Sequence, residues 1–137
     1  MSKTLVIGGG AAGMFAAIAA AGNGHEGHVY EKNEKLGKKL FITGKGRCNI
    51  TNACDMETLF DAVVTNSKFL YSSFCGYTNQ NVIDFFEQIG VKTKVERGER
   101  VFPQSDHSSD VIRTGSRDAA QGSSDPFVHR GSACGIG

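Results

Sequence analysis

Four residues near the start of the chain have the types and spacing to hold a phosphate and a sugar: Gly8, Gly10, Gly13 and Glu31. In Gly8-x-Gly10-x-x-Gly13, the first glycine permits a tight turn. The second lets a pyrophosphate approach bare backbone, and the third lets a helix pack close to a strand. A helix that opens there offers free N–H groups and the positive end of its dipole to the phosphates. Glu31 can accept hydrogen bonds from both hydroxyls of an adenosine ribose, and an acid at that point favours a free 2′-hydroxyl. The implied chemistry is dinucleotide binding, with FAD or NAD favoured over NADP. The bland alternative is a Gly-rich turn without a ligand.

The flanking residues predict the elements this motif needs. Leu5-Val6-Ile7 is a short apolar run, as expected of a buried parallel strand. Ala11 to Ala21 is Ala-rich with Met14, Phe15 and Ile18, and reads as a helix. Gly22 to Gly27 reads as a turn and His28-Val29-Tyr30 as a second strand that Glu31 ends. Strand, glycine turn, helix, strand and acid together form the context that a lone G-x-G-x-x-G lacks. No residue from Thr4 to Gly22 is charged, which imitates a signal peptide or a membrane span. The glycines Gly8 to Gly10 inside that run fit a phosphate turn better, and no membrane association is expected.

Composition narrows the class further. Fifteen basic and 14 acidic side chains leave a formal charge of +1, which argues against a nucleic-acid partner. With 39% hydrophobic and 21% charged residues the chain is globular in composition. Cys48, Cys54, Cys75 and Cys134 form no C-x-x-C pair and have no histidine at zinc-finger spacing. Neither a metal site nor a disulfide framework is expected, and the compartment reads as reducing and cytoplasmic.

The segment Thr43-Gly44-Lys45-Gly46-Arg47-Cys48-Asn49-Ile50-Thr51-Asn52 is almost entirely small or hydrogen-bonding. Such a loop can follow a long polar ligand with backbone N–H groups at Gly44 and Gly46 and side-chain donors at Arg47 and Asn49. Arg47 beside Cys48 can lower a thiol pKa, but no resolving cysteine stands at C-x-x-C spacing, and a packed structural thiol is the favoured reading.

The string from Leu36-Gly37-Lys38-Lys39-Leu40 through Gly44-Lys45-Gly46-Arg47-Cys48-Asn49-Ile50-Thr51-Asn52 resembles the signature of the bacterial HI0933-like flavoproteins. A second match is Gly98-Glu99-Arg100-Val101-Phe102-Pro103-Gln104-Ser105-Asp106. The resemblance runs from about Ser2 to Thr114. It implies an NAD(P)/FAD-dependent oxidoreductase with FAD as cofactor, NAD(P)H as a partner and a small organic substrate. The implied fold is α/β: the N-terminal Rossmann-type FAD-binding βαβ unit of a two-domain flavoprotein, followed by the start of an inserted α+β domain. The implied cofactor residues are Gly8, Gly10, Ala11, Ala12, Gly13, Glu31, Lys32, Lys39, Gly46, Arg47 and Asn49. No general acid or base is identified. An NAD-only Rossmann domain fits the Thr43 to Asn52 string less well.

Residues 1–53 read as the N-terminal part of the FAD-binding domain and 54–114 as the start of the inserted domain. Asp55 to Tyr77 reads as helical with a break near Asn66-Ser67. Asn79 is expected to cap the next helix, whose apolar face is Val82, Phe85, Phe86 and Ile89. Phe85 and Phe86 can be a flavin or substrate wall, but their spacing favours core. Gly90 ends that helix. Val91 to Val95 and Arg100 to Phe102 read as a hairpin. Asp106 begins a further helix, with Ser105 or Asp106 as its cap; an Asp106/His107 acid/base pair is the less favoured reading.

From Gly115 to Gly137 nine of 23 residues are Gly or Ser, and no helical or strand period is visible. A flexible tail is one expectation. A frameshift is the other: with suitable codons, restoring two bases after Thr114 turns the following residues into a helix, a Gly stop and the start of a strand. The chain would then be a truncated fragment with weak or no nucleotide binding. Reading the coding DNA in all three frames beyond codon 114 checks this; a frame open for several hundred codons is expected, and stops in every frame shortly after codon 137 contradict it.

Overall fold

A computed structural model describes residues 2–121 and 128–130 of the chain. Strand β1 (Lys3–Ile7), helix α1 (Ala11–Gly22) and strand β2 (Glu26–Glu31) form a βαβ unit. The strands pair in parallel, with Val6 opposite Val29 and Ile7 opposite Tyr30. Val6, Ala17 and Val29 make a small core where α1 lies on the sheet, with Leu36 packed against it. Ala17 is small enough to bury completely there, and Gly27 of β2 passes beneath its carbonyl.

Of the run Leu5-Val6-Ile7, only Val6 is buried; Leu5 is 64% and Ile7 83% exposed. The apolar run predicts a buried strand; only one of its faces is buried. Successive side chains in a strand point to opposite faces, and α1 covers only the face that carries Val6.

Beyond β2 the chain enters α2 (Lys38–Ile42) through Gly37, which holds φ 66°, and continues into a 3-10 turn (Thr43–Gly46). It then forms β3 (Thr51–Asn52), α3 (Met56–Asp61), a second 3-10 turn (Ser67–Leu70), α4 (Tyr71–Gly76), α5 (Asn79–Gln88), β4 (Thr93–Glu96) and β5 (Arg100–Pro103). The three strands make an antiparallel sheet in the order β3-β5-β4. The expected hairpin is present, with Val95 opposite Val101. Asn66 at φ 54° breaks the helical stretch where the sequence suggests. Because Thr51 pairs with Val101, the second sheet takes in residues just before the expected boundary at 53/54.

The N-cap of α5 is Thr78, not Asn79. Thr78 and Asn81 form a reciprocal capping box, while the Asn79 amide donates to the Asn52 and Cys54 carbonyls at 2.7 Å each. The hydroxyl one residue earlier satisfies the helix, which frees Asn79 to tie α5 to β3. The Phe85 and Phe86 rings pack on Phe15 of α1, with centroids 5.0 and 6.0 Å away. Phe86 joins Cys48, Val91 and Val111 in the main core.

Helix α6 (Ser108–Gln121) runs well past Thr114, and β6 (Val128–Arg130) pairs in parallel with β2. The absence of regular structure expected from Gly115 onward is therefore corrected for residues 115–121 and 128–130; the rest of that tail, Cys134 included, lies outside the described residues. A single helical glycine costs only about 1 kcal/mol relative to Ala, and tertiary contacts hold the helix. The Ser108 hydroxyl donates to the Phe41 carbonyl at 2.9 Å, and Ser116 Oγ lies 3.7 Å from Met14 Sδ. The expected caps are also engaged elsewhere: Ser105 Oγ accepts from the His107 N–H, and Asp106 binds Arg47 and Lys94.

At Gly13 a Cβ would stand 1.8 Å from the Gly8 carbonyl oxygen and 3.3 Å from Val6 Cγ1. Gly13→Ala is expected to destabilise the fold by about 2–3 kcal/mol, read as a fall in the urea midpoint; an unchanged midpoint contradicts this packing.

Candidate functional site

Gly8 leaves β1 at φ 101°, a conformation that favours glycine. Its N–H donates to the Tyr30 carbonyl at 2.8 Å, which holds the turn against the end of β2. Gly10 is the N-cap of α1 and makes no side-chain cap, so the first N–H groups of the helix lack the partner a capping side chain supplies. A Cβ at Gly10 would meet nothing within 4 Å. Gly10, Ala11 and Ala12 are all exposed. The opening turn of α1 is thus a bare, donor-bearing surface, as the motif predicts.

Glu31 is buried beneath this turn. Its Oε2 accepts the Gly9 N–H at 2.7 Å. Its Oε1 accepts the Asn33 N–H at 2.8 Å and the Asn33 side-chain amide at 2.6 Å. Bonds from the Asn33 and Gly9 backbone hold the carboxyl below its ordinary range. A carboxylate has about four acceptor sites; with three occupied, the remaining one, on Oε2, can take a ribose hydroxyl.

The sequence reading assigned no supporting role to Gly9, Asn33, Leu36 or Gly37. A Cβ on Gly9 would lie 2.1 Å from Leu36 Cδ2, and the Gly37 N–H donates to the Gly9 carbonyl at 2.8 Å. The run of three glycines is the available signal, since G-x-G-x-x-G leaves the middle position free.

The other candidates are scattered. Lys32 and Lys39 are exposed, and Gly46 is half-buried at φ 85°. Arg47 lies in an ion network. Its Nη1 donates to Glu96 at 2.9 and 3.0 Å and to Asp106 at 3.2 Å, and its guanidinium stands 4.1 Å from the centre of the Phe102 ring. Lys94 completes the network at 2.6 Å from Asp106. The Lys94 ammonium, aided by Arg47, holds the Asp106 carboxyl below its ordinary range, so Asp106 is ionised and not a proton donor at neutral pH. The Asn49 amide nitrogen, turned to face acceptors, donates to the Val101 and Thr51 carbonyls at 3.2 and 3.0 Å. Asn49 and Ala11 nevertheless line one cavity. Burial pushes the Cys48 thiol up, which suits a packed thiol and not a reactive thiolate.

Parallel βαβ topology, a three-glycine turn at a helix N-terminus and an acid under that turn define a Rossmann-type dinucleotide-binding unit. The chain belongs to the HI0933-like protein Rossmann-domain family, whose model matches residues 2–124. It is 34% identical over 114 residues to a 3-dehydro-bile acid delta(4,6)-reductase of Clostridium scindens, covering 82% of this chain and 27% of that protein. It is 33% identical over 90 residues to a ribosomal RNA dihydrouridine synthase of Haemophilus influenzae, covering 66% of this chain and 22% of the relative. Over 40 residues, 29% of this chain and 6% of the relative, it is 55% identical to an NADH oxidase of Thermoanaerobacter brockii. The chain thus spans about a quarter of the length of the first two relatives. No helix among the described residues is long and apolar enough to cross a membrane.

A carboxyl whose folded pKa is lowered stabilises the fold above its unfolded pKa, and that stability is lost as pH falls through the folded value. Asn33→Ala removes one of the bonds that lower Glu31. The variant is expected to be less stable at neutral pH and to begin acid unfolding at a higher pH than the parent, followed by circular dichroism. Coincident acid transitions contradict the role given to Asn33.

Proposed function

We propose that the chain is the FAD-holding front portion of an oxidoreductase that moves a hydride from NAD(P)H to a small organic acceptor. The observation that carries this reading is the turn itself. Glycine is sterically required at Gly13 and free of neighbours at Gly10, which is the division of roles that pyrophosphate binding demands. FAD, when bound, supplies a two-electron carrier able to take up and pass on hydride. The residues bind and orient it. Gly8, Gly10, Ala11, Ala12 and Gly13 receive the pyrophosphate, and Glu31 receives a ribose hydroxyl on Oε2. A 2′-phosphate there would face the Glu31 carboxylate and be repelled. Asn49 keeps its amide on the Val101 and Thr51 carbonyls and leaves the pyrophosphate to the glycine turn. Arg47 is better placed to hold its loop to β4 than to touch a ligand. The names of the relatives point the same way, since a reductase and an NADH oxidase are redox enzymes.

A second reading is favoured by the open face of β1, where Leu5 and Ile7 stand exposed. In that reading the chain holds nucleotide weakly or not at all and does not catalyse. Titration of the purified chain with FAD separates the two. Binding is expected, with an affinity at least tenfold lower for Gly10→Ala at an unchanged urea midpoint, because a methyl group there meets ligand but no protein. A folded parent chain that ignores FAD favours the second reading, and equal binding by Gly10→Ala overturns the pyrophosphate placement.

A further inference from the structure

A cavity of about 350 Å³ lies where α1, α5 and α6 meet. Met14 and Phe15 line it from α1, Phe85 and Phe86 from α5, and Val111 and Gly115 from α6. It opens to solvent beside Ala11, Asn49 and Tyr77, which are exposed, and its volume is in the range of small-molecule sites, about 300–1,000 Å³. Among the described residues its lining includes no charged side chain. Asn49 and Tyr77 bring polar groups, but the Asn49 amide nitrogen is directed at the Val101 and Thr51 carbonyls. Burial pushes the Tyr77 hydroxyl up, away from the charged form.

We propose that this cavity binds a neutral, apolar, multi-ring small molecule, distinct from the dinucleotide. Charge decides against a phosphate-bearing occupant, because nothing in the lining compensates a desolvated anion. The ring of a flavin is also poorly matched, since its pyrimidine edge presents several carbonyl and N–H groups and the lining leaves the Tyr77 hydroxyl to meet them. Rigid aromatic walls suit a flat apolar body. Ala11, at the first turn of α1, borders the cavity, so its occupant would lie beside the phosphate turn. Only that adjacency to a cofactor rests on the function proposed above.

Gly115 offers a direct test. A Cβ there meets nothing within 4 Å, and its φ is not in the left-handed region. Gly115→Leu therefore fills the cavity and improves the helix propensity of α6. The neutral fused-ring dye Nile red is titrated into the whole chain, with and without saturating FAD. One dye per chain with blue-shifted emission is expected, unchanged by FAD, and at least tenfold weaker for Gly115→Leu at an equal or higher urea midpoint. Should that variant not fold, Val82→Phe closes the cavity from α5 and is expected to weaken the dye equally. Undiminished dye binding by a folded cavity-filling variant overturns the proposal, and Ile7→Ser then shows whether the dye sits on the open face of β1. Displacement of the dye by FAD also overturns it, by making the flavin ring the occupant. Dye binding by a folded chain that takes up no FAD in a direct titration upholds the cavity and removes only the cofactor reading.

Discussion

Helix α1 lies on β1 and β2 only because no side chain stands where it crosses the Gly8 carbonyl. With hydrogen at Gly13 the helix comes close enough for Ala17 to reach Val6 and Val29. The same approach brings Gly9 over Glu31, whose carboxylate fastens the turn from below. Gly9 in turn holds Gly37 through its carbonyl, and Gly37 sets the entry into α2. A chain of backbone contacts thus runs from one steric requirement to the start of the loop that carries Arg47 and Asn49. Stiffness in the phosphate turn follows from this arrangement, since both its ends and its underside are bonded.

The antiparallel sheet is joined to the βαβ unit mainly by apolar packing. Cys48, Phe86, Val91 and Val111 come from four separate segments, and Phe15 of α1 leans into them. The network of Arg47, Glu96, Lys94 and Asp106 lies at the partly exposed edge of this joint. Ion pairs at such a surface contribute little to stability. Their effect is directional: they decide how the Gly44 to Asn49 loop is presented, with the Arg47 guanidinium over the Phe102 ring.

Helix α6 connects the two parts. It packs through Ile112 on Gly37 at the entry to α2 and touches α1 through Ser116 and Met14. Family membership extends over it, since the matched region reaches residue 124. Its glycine at 115 leaves the cavity between α1 and α5 open where a larger side chain would close it.

The glycine turn was legible in the sequence because its requirements are local. Gly8, Gly10 and Gly13 answer backbone sterics within a few residues, and Glu31 follows at the end of the next strand. The apolar face of α5 and the β4–β5 hairpin were legible for the same reason, as short-range periodicities. Long-range geometry decided the rest. Whether Leu5 and Ile7 are covered depends on what packs on the second face of β1. Arg47 is bonded to carboxylates 49 and 59 residues further on, which no local pattern announces. The Gly/Ser-rich stretch from Gly115 shows no helical period, yet contacts with α1 and α2 hold α6 through Gly115. By itself the sequence determined the glycine turn and the acid that follows the second strand, whose physics is contained in neighbouring backbone. Only the tertiary structure decided which oxygen of Glu31 remains open, where Arg47 points and that a cavity exists, because each depends on groups that meet solely through folding.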